Sequence, residues 1–118
     1  MSVIREKTFS FAIQVVGVYK TIVAKHKEYV LSKQFLKSGT APGALAREAQ
    51  YAQSRADFIS KLSIALKEAN ECNYWASLLH AGGFITQETF RKIDSDNKEI
   101  IFLLISSINT AKSRKDQQ

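Results

Sequence analysis

The chain has 118 residues, 45% of them apolar and 24% charged, with a formal net charge of +6. This is the length and composition of one globular domain, which excludes a disordered tail or a low-complexity array. The longest uninterrupted apolar run, Ile100–Ile105, is six residues long where a spanning helix needs about 20, so no membrane segment is expected. Only five glycines and one proline interrupt the chain, and few breakers mean few turns and long helices.

The first predicted helix covers residues 6–25. Phe9, Ala12, Val16, Tyr19 and Val23 step by three or four, and Phe11, Val15, Val18 and Ile22 form an adjoining stripe. Together they predict a helix with a wide buried face. The second element, 27–53, carries Leu31, Phe35, Ala44, Leu45, Ala49 and Ala52 at helical spacing. Ser38-Gly39-Thr40-Ala41-Pro42-Gly43 interrupts it. Gly39 can end one helix and Thr40 cap another, with Pro42 in its first turn. The alternative, preferred here, is one element with a kink or short break near 38–43.

The third helix is predicted over 55–81, where Phe58, Leu62, Ala65, Ala69, Cys72, Ala76 and Leu79 alternate steps of four and three, the pattern of a bundle seam. Ser54 is its expected N-cap, Asp57 suits the first turn, and Asp57–Lys61 is a favourable i,i+4 pair. Gly82-Gly83 ends it, since a left-handed residue is cheap only for Gly. The fourth helix, 86–112, is capped by Thr86, with Phe90, Ile93, Asn97, Ile100, Leu104, Ile108 and Ala111 along its seam. Residues 100–105 are apolar all round. Either they form a locally greasy core helix, or one face packs inside and another, with Ile101, Phe102 and Ile105, meets a second copy. The tail 112–118 is polar and expected to fray. Short links between the helices predict an all-α, antiparallel up-down-up-down four-helix bundle.

Chemistry-bearing constellations are scarce. Di-metal bundles need Glu-x-x-His pairs, and no acidic residue here has a His three positions on. His26 and His80 lie near helix ends, where surface or dipole roles are usual. The lone cysteine, Cys72, rules out an internal disulfide or a Cys-based zinc site, and on the seam it reads as a small hydrophobe. No phosphate-cradling glycine loop is present. Glu68 and Glu71 near Trp75 read as glutamates bonded to neighbours rather than as an acid–base pair. Tyr74 and Trp75 read as core or interface before they read as a base-stacking surface. No catalysis, cofactor or metal is expected. No apolar core with a cleavage site follows Met1, so no secretory leader is expected, and cysteine usage fits a cytoplasmic protein.

The positive charge is uneven. Residues 1–37 hold Arg5, Lys7, Lys20, Lys25, Lys27, Lys33 and Lys37 against Glu6 and Glu28, while the rest of the chain is nearly balanced. A basic face of this kind attracts polyanions, of which nucleic acid is the commonest. These seven residues are the candidate phosphate contacts of a sequence-nonspecific RNA- or DNA-binding protein. The other readings are a solvated lysine-rich surface and a scaffold that docks an acidic partner protein.

The stretch Lys33-Gln34-Phe35-Leu36-Lys37-Ser38-Gly39-Thr40-Ala41-Pro42-Gly43-Ala44-Leu45-Ala46-Arg47-Glu48-Ala49 reads as a signature. It is followed by Ser54, Asp57-Phe58-Ile59, Lys61-Leu62, Ile64-Ala65-Leu66-Lys67-Glu68-Ala69, Glu71 and Tyr74-Trp75. Together these residues resemble the four-helix-bundle proteins encoded in intervening sequences of bacterial large-subunit rRNA genes, relatives of the accessory variability determinant of diversity-generating retroelements. The resemblance implies an up-down bundle assembled as a homopentamer and a basic surface that binds nucleic acid, without catalysis. In the retroelement branch it also implies a reverse transcriptase partner. The sequence departs from the family pattern at Ala41, usually Ser, and at Leu45, usually Asn. Losing that Asn removes a polar partner for Glu48. Ser38, Thr40, Glu48 and Glu71 are expected to act as packing glue, with hydroxyls satisfying buried carboxylates.

Overall fold

The computed structural model describes residues 2–115, as four helices: α1 (Val3–His26), α2 (Leu31–Ala49), α3 (Arg55–Ala81) and α4 (Gln87–Lys115). No strand occurs among the described residues, and the particle measures 53 × 22 × 21 Å. The helices form a ring. α2 packs against α1 and α3, α3 against α4, and α4 closes more loosely on α1. Asp116, Gln117 and Gln118 of the polar tail lie outside the described residues.

Local chemistry sets most of the ends. Ser2 caps α1, its Oγ accepting the Arg5 N–H at 3.4 Å, so the helix starts three residues before the expected position 6. Ser54 caps α3 by accepting the Asp57 N–H at 3.0 Å, and the Asp57 carboxylate accepts the Gln53 N–H at 3.2 Å. Thr86 accepts the Thr89 N–H at 3.1 Å. Of the two glycines after α3, Gly83 is the left-handed one, at φ 82°, and Gly82 keeps helical dihedrals. α4 runs to Lys115, three residues past the expected 112.

Two expectations are corrected. The second helix begins at Leu31 rather than at residue 27 and ends at Ala49 rather than 53. It passes through the suspected break with Pro42 inside it. Pro42 lacks the N–H of an interior helical residue, but Ser38, Gly39, Pro42, Ala46 and Ala49 are all buried. Tertiary packing of that face outweighs the missing bond. In α1 the wide stripe does not go inside as a whole. Phe11, Val15 and Ile22 are buried, while Phe9 and Val16 are exposed. The reason is the ring: of the other helices α1 packs against α2 and α4 only, so no third helix covers the rest of its apolar surface.

The core runs along the axis from Phe11, Val15, Ile22 and Phe35 through the α3 seam (Leu62, Ala65, Ala69, Cys72, Ala76, Leu79) to Ile93, Ile100, Leu104 and Ile108 of α4. Small residues let the helices come close. A Cβ on Gly43 would lie 3.3 Å from the Thr8 carbonyl oxygen. Between helices the structure pairs Lys7 with Glu99, Glu48 with Lys61, Ala69 with Asn97, and the His80 ring with Phe90. The hydroxyls expected to satisfy carboxylates do not. Ser38 and Thr40 donate to their own helix, at Gln34 O (2.9 Å) and Leu36 O (2.8 Å), and Glu48 and Glu71 are exposed. An exposed carboxylate is hydrated and needs no buried donor, whereas a hydroxyl inside a helix finds the carbonyl four residues back.

Candidate nucleic-acid interface

The α1–α2 turn is built by two unusual residues. Lys27 adopts a left-handed conformation at φ 52°, and its N–H donates to Val23 O at 3.0 Å, terminating α1. A non-glycine residue there costs about 1 kcal/mol. The next residue compensates. The Glu28 carboxylate accepts the N–H groups of Val30 (2.9 Å), Leu31 (2.9 Å) and Ser32 (2.8 Å), while Ser32 Oγ donates to Glu28 O at 2.6 Å. These N–H groups open α2 and have no partner inside it. Partial burial pushes the Glu28 pKa up, but the three backbone donors outweigh it and hold the carboxyl below its ordinary value of 4.5. The only acidic group of the turn is thus spent on the backbone.

Around this tip stand Lys25, Lys27 and Lys33, all exposed, with Lys20 and Lys37 about 9 Å further down α1 and α2 at 1.5 Å per residue. No carboxylate of the described residues is ion-paired with any of the five. Three lysines of α3 and α4, by contrast, are neutralised. Lys61 lies 3.7 Å from Asp57 and 3.9 Å from Glu48, Lys92 reaches Asp96 at 2.6 Å, and Lys98 reaches Asp94 at 2.9 Å.

Arg5 and Lys7 do not join this cluster. Lys7 lies eighteen residues from Lys25, about 27 Å along the same helix. It is paired with Glu99 at 3.2 Å. Arg5 lines a groove of about 570 Å³ between α1 and α2, together with Glu6, Phe9, Arg47, Glu48 and Tyr51. The Arg47 guanidinium sits 5.8 Å above the Phe9 ring there. The seven basic residues expected to form one surface are therefore two groups at opposite ends of α1. A tally of charge along the first third of the chain cannot see this, because one helix carries residues 5 and 25 to opposite ends of the bundle.

Sequence reasoning also missed two residues of the tip. Tyr29 is 55% exposed and Val30 is 72% exposed, both between Lys27 and Lys33 along the chain. They sit in the four-residue link between α1 and α2, inside the span expected to be helical, and only the late start of α2 brings them out. Glu28 followed by a helix start was the available signal.

The other candidates lie elsewhere on the bundle. On α4, Ile101 is half-buried against the core, whereas Phe102 is 68% and Ile105 is 42% exposed, so residues 100–105 do present an outer apolar face. Tyr74 is exposed with its ring edge against the half-buried Trp75. Cys72 is fully buried, and burial pushes its thiol up to about 12 against a weaker lowering by Ser38, which keeps it protonated at neutral pH. Among the described residues no group of three or more His, Cys, Asp or Glu could hold a metal ion, and no helix is long and apolar enough to cross a membrane.

Comparison with proteins of curated function gives no match. Among solved structures, the chain is similar to a protein of unknown function from the S23 ribosomal protein family of Bacteroides thetaiotaomicron. That protein is 54% identical, with a TM-score of 0.88 over 90% of this chain and 98% of the other. The family model for the 23S rRNA-intervening sequence protein matches residues 2–106. The four-helix architecture and nearly the whole length of the chain are thus accounted for by one family, and the protein belongs to the 23S rRNA-intervening sequence proteins.

Proposed function

We propose that this protein is a non-enzymatic, sequence-nonspecific nucleic-acid-binding accessory protein that works in the cytoplasm as a homo-oligomer, in the family's pentameric form. The observation that carries the reading is the set of five exposed lysines (Lys20, Lys25, Lys27, Lys33, Lys37) at the α1–α2 end, with Glu28 withdrawn from them by the backbone. Unpaired lysines held on two helices and the turn between them bind phosphate without reading bases. An antiparallel, up-down-up-down course is supported by the paired contacts. Lys7 meets Glu99 while His26 meets Phe84, and Ala69 meets Asn97 while His80 meets Phe90. Self-association is supported by Phe102 and Ile105, which burial in a second copy would remove from water.

The test is binding of 20-nucleotide RNA and DNA strands across a salt titration. If all five lysines engage, log K against log salt falls with a slope of about 3.5, at 0.7 per phosphate on a single strand. Replacing the five by Gln removes that slope, while Lys7→Gln leaves it unchanged, since Lys7 is already paired with Glu99. Failure to bind either nucleic acid, together with lysine-dependent capture of an acidic protein, establishes the scaffold reading instead.

A further inference from the structure

We propose that the α1–α2 tip is a site for an unpaired nucleotide, in which the base stacks on Tyr29 while the flanking phosphates lie against Lys25, Lys27 and Lys33. The inference rests on the nucleic-acid reading and adds the class of ligand: single strands, loops or frayed ends rather than intact duplex. Three observations carry it. Tyr29 and Val30 are 55% and 72% exposed although the apolar core begins at Leu31 and Phe35 beside them. They stand on a short turn pinned at both sides, by the Lys27 N–H to Val23 O at 3.0 Å and by the Val30 N–H to Glu28 Oε2 at 2.9 Å. The lysines around them have no ion-pair partner among the described residues.

An exposed aromatic side chain on a pinned turn, with three exposed lysines within four residues of it along the chain, offers what an unstacked base requires. The ring supplies the sequence-tolerant contact, and the lysines supply the phosphate contact. A duplex offers its phosphates but keeps its base faces stacked on one another, so it can use the lysines and not the tyrosine. The α2 N-terminus is not the phosphate site, because Glu28 already occupies its N–H groups. A membrane surface is the weaker ligand for this tip. One tyrosine and one valine offer little apolar area, and peripheral anchoring draws on a longer apolar face.

The experiment compares a 20-nucleotide oligouridine with a 20-base-pair RNA duplex, using the full chain and its Tyr29→Ala, Tyr29→Phe and five-lysine-to-Gln variants. Tyr29→Ala is expected to weaken oligouridine binding about 5- to 140-fold, the size of one base–aromatic stack. It leaves the salt slope and duplex binding unchanged, and Tyr29→Phe restores affinity. Photocrosslinking of a 4-thiouridine strand to residue 29 is the independent readout. Equal binding of oligouridine by the parent and Tyr29→Ala overturns the inference, and if the lysine variant still loses binding the broader reading survives. Equal losses on strand and duplex also overturn it, as does binding to phosphatidylserine vesicles that needs Tyr29 while RNA binding does not. If the parent binds neither these RNAs nor the corresponding DNA strand and duplex, both readings fall together.

Discussion

Gly39 of α2 lies so close to Val15 of α1 that a Cβ placed on it would be 2.7 Å from Val15 Cγ2 and 2.8 Å from Cγ1. Val15 is fully buried and branched at Cβ, so it has no slack to yield. Ala gains about 1 kcal/mol over Gly in a free helix, but here the steric overlap outweighs that gain. Gly39→Ala is therefore expected to lower stability in urea unfolding, by about 1–2 kcal/mol. Val15→Ala destabilises through its cavity, and the double variant is expected to recover part of both losses, giving a coupling of opposite sign to the single effects. Strict additivity would show that the contact does not limit the approach of the helices.

Glu28 caps α2 with its carboxylate, and Glu28→Ala removes three hydrogen bonds at once. The loss expected is about 1 kcal/mol, as for other N-cap deletions. Because the folded pKa lies below 4.5, the folded state holds fewer protons than the unfolded one in that range. The stabilisation is present above pH 4.5 and disappears as pH falls through the folded value. Glu28→Gln is expected to flatten this acid limb in a series of unfolding curves between pH 3 and 6. An unaltered pH profile would place the cap elsewhere.

Asn97 is buried on the α4 seam. Its Nδ2 donates to Ala69 O at 2.8 Å, and its Oδ1 has no partner. One bond is gained and one acceptor is stranded, so Asn97→Leu is expected to change stability by less than about 1 kcal/mol. Asn97→Asp buries a charge without a counter-ion and is expected to cost about 3 kcal/mol or more at neutral pH. Burial raises the pKa of that Asp above its unfolded value of about 3.9, so the penalty grows as pH rises through that value and is smallest below it. Denaturant midpoints at pH 3.5 and 7 measure both effects.

Phe102 and Ile105 are exposed on α4 while Ile100 and Leu104, their neighbours in sequence, are buried. Phe102→Asp with Ile105→Asp leaves the protomer core untouched and is expected to keep full helicity by circular dichroism. If these side chains are buried between copies, each contributes about 1.5–3 kcal/mol to association. The pair is then expected to shift native mass from oligomer to monomer at micromolar protein. An unchanged oligomer would place the contact on another face, such as the exposed Phe9 and Val16 side of α1.

The sequence by itself determined the four helices, the seams of α3 and α4, and the caps at Ser54 and Thr86. Each of these depends on residues within one or two turns of one another, and period and capping chemistry act at that range. It also located the basic third of the chain and the apolar surplus at 100–105. Only the tertiary structure decided which stripe of α1 turns inward, because that depends on α1 having two neighbours rather than three. It decided that α2 runs unbroken through Pro42, since burial of Ser38, Gly39 and Ala46 against other helices offsets a local defect. It divided the seven basic residues, leaving Arg5 and Lys7 at the far end of α1 from the tip, with Lys7 about 27 Å from Lys25 along the helix. And it exposed Tyr29 by ending α1 at a left-handed Lys27, a conformation whose cost is offset by the bonds Glu28 makes to the next helix.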